Sequence, residues 1–163
     1  MIRSSWKELL KVAYEEAVKS PDPSTQNAAL LIDDGVVVLK AFNEFPIGVE
    51  YTDERWERPL KYKIIEHAER HVIYKAARQG IATEGLTMVS PWSACADCAR
   101  AIIQAGIKCL VRHKEAGDRS PEFWLEEIQV ADQMFKEAGV EVLDYHGKIG
   151  APEVRHSGQI WSP

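Results

Sequence analysis

His67-Ala68-Glu69 and Cys95-Ala96-Asp97-Cys98 hold the side chains whose types and spacing can do chemistry in this chain. One imidazole and two thiolates make a three-ligand zinc set. Such a set leaves the fourth tetrahedral position for water, which is what separates a catalytic zinc from a structural one. Zinc lowers the pKa of bound water from about 15.7 to about 7. A carboxylate at Glu69, two residues from the histidine, is then placed to take that proton and return it to a leaving group. Cys95 and Cys98 are three residues apart, so at a helix start they share one face. Helix N-terminal N–H groups and a metal both favour thiolate over thiol.

Each motif alone is ambiguous. A C-x-x-C can be a redox pair or half of a four-cysteine structural site. The chain has three cysteines and no second C-x-x-C, which removes the four-cysteine reading. A His-x-Glu by itself can be an ordinary helix start. H-x-E followed by C-x-x-C is the signature of zinc base deaminases, except that Ala94 stands where the signature has proline. The chemistry it implies is attack at C4 of a cytosine-type base, loss of ammonia, and Glu69 shuttling protons. His71 lies four residues after His67, but His67–His71 does not form H-E-x-x-H because the carboxylate is one position late. It is expected to support or pack rather than ligate. His113, His146 and His156 are expected in solvated loops or the tail, and Cys109 as a small buried apolar group.

The elements that must position these groups follow from pattern. Ser5–Ser20 reads as a helix opened by the capping box Ser5-Trp6-Lys7-Glu8, with Trp6, Leu9, Leu10, Ala13, Tyr14 and Ala17 on one face. Ala28–Ile32 and Val36–Phe42 read as strands joined at Asp33-Asp34-Gly35. Asn43–Pro59 is a long irregular stretch. Helices are expected over Ile64–Gln79 and Cys95–Ala105, ended by Gly80 and Gly106. Strands are expected over Leu86–Ser90, Ile107–Arg112 and Val140–Tyr145. His113–Arg119 reads as a charged loop, and a last helix runs from a Ser120 cap and Pro121 to Gly139. The tail from 146 to 163 reads as irregular, with Ile160 and Trp161 able to dock. The order αββαβαβα plus a final strand predicts a mixed sheet covered by helices, in one α/β domain spanning 1–163.

Composition narrows the class. The net charge is −5 over 163 residues, and no basic stripe suggests a nucleic-acid partner. No segment resembles a transmembrane helix or a signal peptide, so no membrane partner and a cytoplasmic location are expected. Few cysteines suit a reducing compartment. Trp6, Trp56, Trp124 and Trp161 are many large rings for one small core, which makes a homo-oligomer an expectation, although helices alone could bury them.

From Trp6 to Tyr145 the chain resembles the deoxycytidylate (dCMP) deaminases of the cytidine deaminase superfamily. Four stretches carry the resemblance: Ser20–Ala29, Phe42–Gly48, His67–Glu69 and Cys95–Lys108. The resemblance implies a three-layer α/β/α fold with a five-stranded mixed sheet. It implies Zn2+ on His67, Cys95 and Cys98, and Glu69 as the catalytic proton shuttle. It places Asn43 on the sugar or base and the Ala68 N–H on the pyrimidine carbonyl. Ser24 and Thr25 fall near the sugar-phosphate of a small nucleotide substrate. A hexamer, with dCTP and dTTP as regulators, is also implied. The chain departs from the family pattern at several positions. Ala94 replaces the proline, leaving Trp92 as a candidate stacking residue. Asn27 replaces an apolar residue and brings an amide to the pocket. Glu44 replaces a loop glycine, and His71-Val72-Ile73 replaces Asn-Ala-Ile. These departures keep open a different base or a modified cytosine nucleotide, including a guanine-type base. A non-catalytic, zinc-stabilised binding module is the rival from another class.

Overall fold

A computed structural model describes residues 5–163. Ser5 caps helix α1 (Trp6–Ala17): its hydroxyl accepts from the Glu8 N–H while the Glu8 carboxylate accepts from the Ser5 N–H, as the capping box predicts. Strands β1 (Ala28–Asp33) and β2 (Val36–Phe42) form the expected hairpin, with Asp34 and Gly35 both at positive φ. The stretch after it is less irregular than expected. It carries the short helix α2 (Asp53–Trp56), and Phe45, Tyr51 and Trp56 form one aromatic cluster, with the Phe45 ring centroid 5.0 Å from Tyr51 and 4.2 Å from Trp56.

The region expected as one helix over Ile64–Gln79 is two elements, α3 (Lys61–Ile64) and α4 (Ala68–Gln79). Between them Glu66 pairs with Glu44 in an isolated bridge, and His67 is extended at φ −66°, ψ 149°. The break turns the imidazole away from the helix axis. Strand β3 (Thr87–Val89) is followed by α5 (Ala96–Gln104), β4 (Cys109–His113), α6 (Lys114–Asp118) and α7 (Glu122–Ala138). Thus 114–118, read as a loop, is a helical turn. Pro121, not Ser120, takes the cap position of α7. Strand β5 (Glu141–Tyr145) completes the sheet, and the tail holds a hairpin of β6 (Val154–His156) and β7 (Gln159–Trp161) where no regular structure was expected.

The sheet order is β2-β1-β3-β4-β5. β1 is antiparallel to both neighbours, whereas β3, β4 and β5 run parallel, so the sheet is mixed as expected. Period-two alternation divides β1 between two layers. Ala29 and Leu31 pack with Val72 of α4, Ile102 of α5 and Phe135 of α7. Ala28, Leu30 and Ile32 pack with Leu10 and Tyr14 of α1 and with Val154 of the tail. Hence β1 is buried on both faces and helices lie on either side of the sheet, in three layers.

The tryptophans find partners within the chain: Trp56 on Phe45, Trp124 against Tyr62, and Trp161 against Tyr14 and His113. Trp6 remains 39% exposed. His113 and His156, expected to be solvated, are buried. The His113 ring bridges the Tyr14 hydroxyl at 2.6 Å and the Gly147 carbonyl at 3.0 Å. His156 stacks on Trp92 at 3.5 Å between centroids and donates from Nε2 to the Ala116 carbonyl. Among the described residues no helix is long and apolar enough to cross a membrane.

Candidate metal centre and cleft

His67 sits at the cap position of α4 and Cys95 at that of α5, so two helix N-termini converge on one point. Their side chains turn toward each other. His67 Nδ1 lies 3.5 Å from Cys95 Sγ and 3.4 Å from Cys98 Sγ. A zinc ion bound tetrahedrally, with Zn–N near 2.0 Å and Zn–S near 2.3 Å, requires N···S edges of about 3.6 Å. The donor set and its spacing therefore fit zinc. Among the described residues these three form the one cluster of metal-ligand type. Cys95 Sγ also accepts from the Cys98 N–H, which ties the C-x-x-C turn to the helix start.

The electrostatics favour one thiolate, on Cys95, hydrogen-bonded to a Cys98 thiol. The hydrogen bond from Cys98 holds the Cys95 thiol down to about 4, while Cys98 is held well above its ordinary value by the same bond and by burial. Burial opposes a charge on His67, but the Cys95 sulfur beside it more than offsets this and raises its pKa. Arg70 is a supporting residue that sequence reasoning missed. Its guanidinium stays charged despite burial because Cys98 and Glu66 face it, and it pairs with Glu66. Its only sequence signal is adjacency to Glu69.

Glu69 is 3% exposed and lines the same cleft as His67. Burial pushes its carboxyl up from the ordinary range, as a group that must hold and release a proton requires. Its Oε2 is 3.8 Å from Cys98 Sγ, so the carboxylate reaches the centre without belonging to the ligand cluster. α4 has no side-chain cap, because His67 is directed at the thiols. Ala68, the first residue of that helix, lines the cleft.

The space within the cleft, open solvent at its mouth included, is about 860 Å³. Ser24, Thr25, Asn27, Asn43, Ala68 and Trp92, the residues expected to touch substrate, all line it. They are not equally free to do so. Asn43 spends both amide protons internally, on Asp22 Oδ2 and the Thr25 carbonyl, and its Oδ1 accepts from the Asn27 N–H. Thr25 Oγ1 accepts from the Ser157 N–H of the tail hairpin. Asp22 organises the loop. It accepts from the Ser24 and Thr25 N–H groups and from Asn43, and each of its oxygens lies 2.9 Å from Lys61 Nζ. Both partners of that ion pair are buried.

The rest of the wall was not foreseen. Trp124 turns its ring edge-on to His67 at 6.3 Å. Arg58 lies over Tyr62 and Phe123, 5.6 and 5.9 Å from their centroids. The tail contributes Ser157. His71 behaves as expected: Nδ1 meets the Phe42 carbonyl at 2.8 Å and the ring stays out of the ligand cluster. Cys109 is buried, and burial pushes its thiol up to about 11.

Comparison with known proteins agrees with this geometry. The family model described as "Cytidine and deoxycytidylate deaminase zinc-binding region" matches residues 3–114. A protein of Aliivibrio fischeri named "Uncharacterized deaminase in luxG 3'region" is 36% identical over 140 residues, covering 85% of this chain and 92% of that one. The deoxycytidylate deaminase of Enterobacteria phage T2 is 37% identical over 102 residues. That match spans 63% of this chain and about half, 49%, of the phage protein. The crystal structure of dCMP deaminase from the cyanophage S-TIM5, in complex with dCMP and dUMP, shares the fold. Its TM-score is 0.61 at 20% identity, over 85% of this chain and 97% of that one.

Proposed function

This chain belongs to the cytidine and deoxycytidylate deaminase zinc-binding family, and we propose that it hydrolyses dCMP to dUMP and ammonia. The observation that carries the reading is the convergence of His67, Cys95 and Cys98 at the floor of a cleft that the buried Glu69 also lines. The deoxycytidylate deaminases among its relatives support the choice of substrate.

His67, Cys95 and Cys98 would hold the zinc, which when bound supplies a Lewis acid that activates water for attack at C4. Glu69 accepts the proton of that water and delivers it to N3 of the ring, then takes the proton of the new C4 hydroxyl and passes it to the C4 amino group, whose C–N bond breaks to release ammonia as the C4 carbonyl forms. Its raised pKa suits this reversible role. The Ala68 N–H donates to the pyrimidine carbonyl, and the base is held between the wall of Trp92 and the α7 side of the cleft. Ser24 and Thr25 lie along the sugar-phosphate path, and Asn43 keeps their loop in place. Lys61 is neutralised by Asp22. Arg58, at the mouth, has no carboxylate partner among the described residues and is the cation for the 5′-phosphate. The protein acts in the cytoplasm as a homo-oligomer of one α/β domain per chain, a hexamer by family resemblance.

A substrate panel tests the assignment. Zinc-loaded protein is given dCMP, deoxycytidine, dCTP and guanine, and ammonia release is followed. dCMP is expected to have the highest kcat/KM. Turnover confined to guanine or to deoxycytidine would move the substrate and leave the zinc chemistry in place.

A further inference from the structure

Four side chains among the described residues have a buried polar atom without a hydrogen-bond partner, and three of them, Asn27, Trp92 and Ser120, line this one cleft. Buried polar groups in folded proteins are nearly always paired, so three orphans around one cavity point to a ligand that pairs them. They come from separate elements: the start of β1, the turn before α5, and the turn before α7.

Asn27 is the most informative of the three. It is 8% exposed. Its amide orientation is set by the network around it. The Ser90 hydroxyl donates to the Ala28 carbonyl at 2.9 Å, so its oxygen is left to accept, and it accepts from Asn27 Nδ2 at 3.3 Å. Asn27 lines the cleft, and its carbonyl oxygen, Oδ1, is therefore the side-chain atom left buried without a partner. That oxygen needs a donor. Trp92 presents the opposite need, because an indole N–H can only donate. Trp92 is fixed by its stack on His156, and His156 by its bond to Ala116. The cleft wall thus holds an unpaired acceptor and an unpaired donor on rigid supports, and a hydroxyl group can satisfy either.

We propose that Asn27 Oδ1 is a specificity-determining acceptor that reads a hydroxyl group of a cytosine nucleotide, with Trp92 Nε1 donating to an oxygen of the same ligand. The inference rests on the reading of the protein as a cytosine-nucleotide deaminase and adds which substrates it prefers. A site built to pair a hydroxyl rejects the analogue lacking it, because the acceptor is then buried unpaired. The hydroxyl has three possible positions on such a substrate: C2′ of the sugar, C3′ of the sugar, or a substituent on ring carbon 5.

Three substrate pairs separate these positions. CMP against dCMP tests C2′, dCMP against 2′,3′-dideoxy-CMP tests C3′, and 5-hydroxymethyl-dCMP against 5-methyl-dCMP tests the ring. Each is measured as kcat/KM with zinc-loaded wild type, and as a dissociation constant in Glu69→Gln, which separates recognition from turnover. In one pair the wild type should prefer the hydroxylated member by at least about tenfold. Asn27→Leu should reduce that ratio to within about twofold, and Asn27→Asp, which keeps an acceptor oxygen, should retain it. Asn27→Ser, whose shorter side chain withdraws the acceptor, gives the same reading if the leucine variant does not fold. No preference in any pair, or a preference that survives loss of the Asn27 carbonyl, overturns the inference while leaving deamination intact. Absence of turnover for every cytosine nucleotide would instead overturn the proposed function, and this inference with it.

Discussion

His67 Nδ1 and Cys98 Sγ lie 3.4 Å apart although 31 residues separate them in the chain. The contact joins α4 to α5 at the point where both helices begin. An ion shared by the two would clamp these elements, and metal binding to a site formed only in the folded chain adds to folding stability. Purified protein is therefore expected to carry about one zinc per chain, and chelation should lower its Tm. His67→Ala and Cys98→Ala should each lose the metal by elemental analysis. Equal zinc content in wild type and both variants would exclude this site.

The loop facing the metal is held by an ion pair rather than by regular structure. Lys61 Nζ and the Asp22 carboxylate meet at 2.9 Å with both side chains buried. Removing one partner of such a pair leaves an uncompensated buried charge, at a cost of about 3–5 kcal/mol. Lys61→Met should destabilise the fold by that amount in urea titrations. Asp22→Asn combined with Lys61→Met should recover part of the loss. Additive losses in the double variant would show that the two groups do not depend on each other.

His156 gives stability a pH dependence. Burial, with the nearby Arg119 charge, holds its imidazole down to about 4 from the ordinary 6.5. Between those values the unfolded chain binds the proton and the folded chain does not, so folding weakens as pH falls. The contribution is fully present above pH 6.5 and is lost as pH drops through about 4. Tm should fall over that window, and less steeply in His156→Phe, which keeps a ring against Trp92. Parallel Tm–pH curves for the two proteins would contradict this assignment.

Much of this arrangement is legible in the sequence because it is written locally. Ser5 and Glu8 announce the first cap, Asp34-Gly35 the hairpin, and Gly80, Gly106 and Gly139 the helix ends, each at positive φ. The candidate metal ligands are legible because three residues of two types, His67 and the Cys95/Cys98 pair, stand in two short motifs. What was not legible depends on distant partners. Helical periodicity runs unbroken across 64–79, but the Glu44–Glu66 bridge interrupts it and leaves His67 extended. The tail looks irregular because its hairpin is fixed from far away. Arg155 donates to the Asp22 and Ser20 carbonyls, and its own N–H donates to Gln26 Oε1. His113 reads as exposed from its charged neighbours, whereas Tyr14 and Gly147 enclose it. The orphaned Asn27 oxygen could be suspected from an amide at an apolar position, but its orientation follows only from Ser90.

Glu69 carries the proposed deamination. Its buried carboxyl reaches the metal centre without belonging to the ligand cluster, so replacing it should leave zinc in place and remove turnover. The measurement is dUMP and ammonia release from dCMP by zinc-loaded wild type beside zinc-loaded Glu69→Gln. Stoichiometric dUMP and ammonia are expected from the wild type. In the variant kcat should be lower by about 10²–10⁴-fold at unchanged zinc content. Wild-type protein that is folded and zinc-loaded yet releases no ammonia from dCMP would contradict these expectations, as would a Glu69→Gln variant that turns over as fast as the wild type.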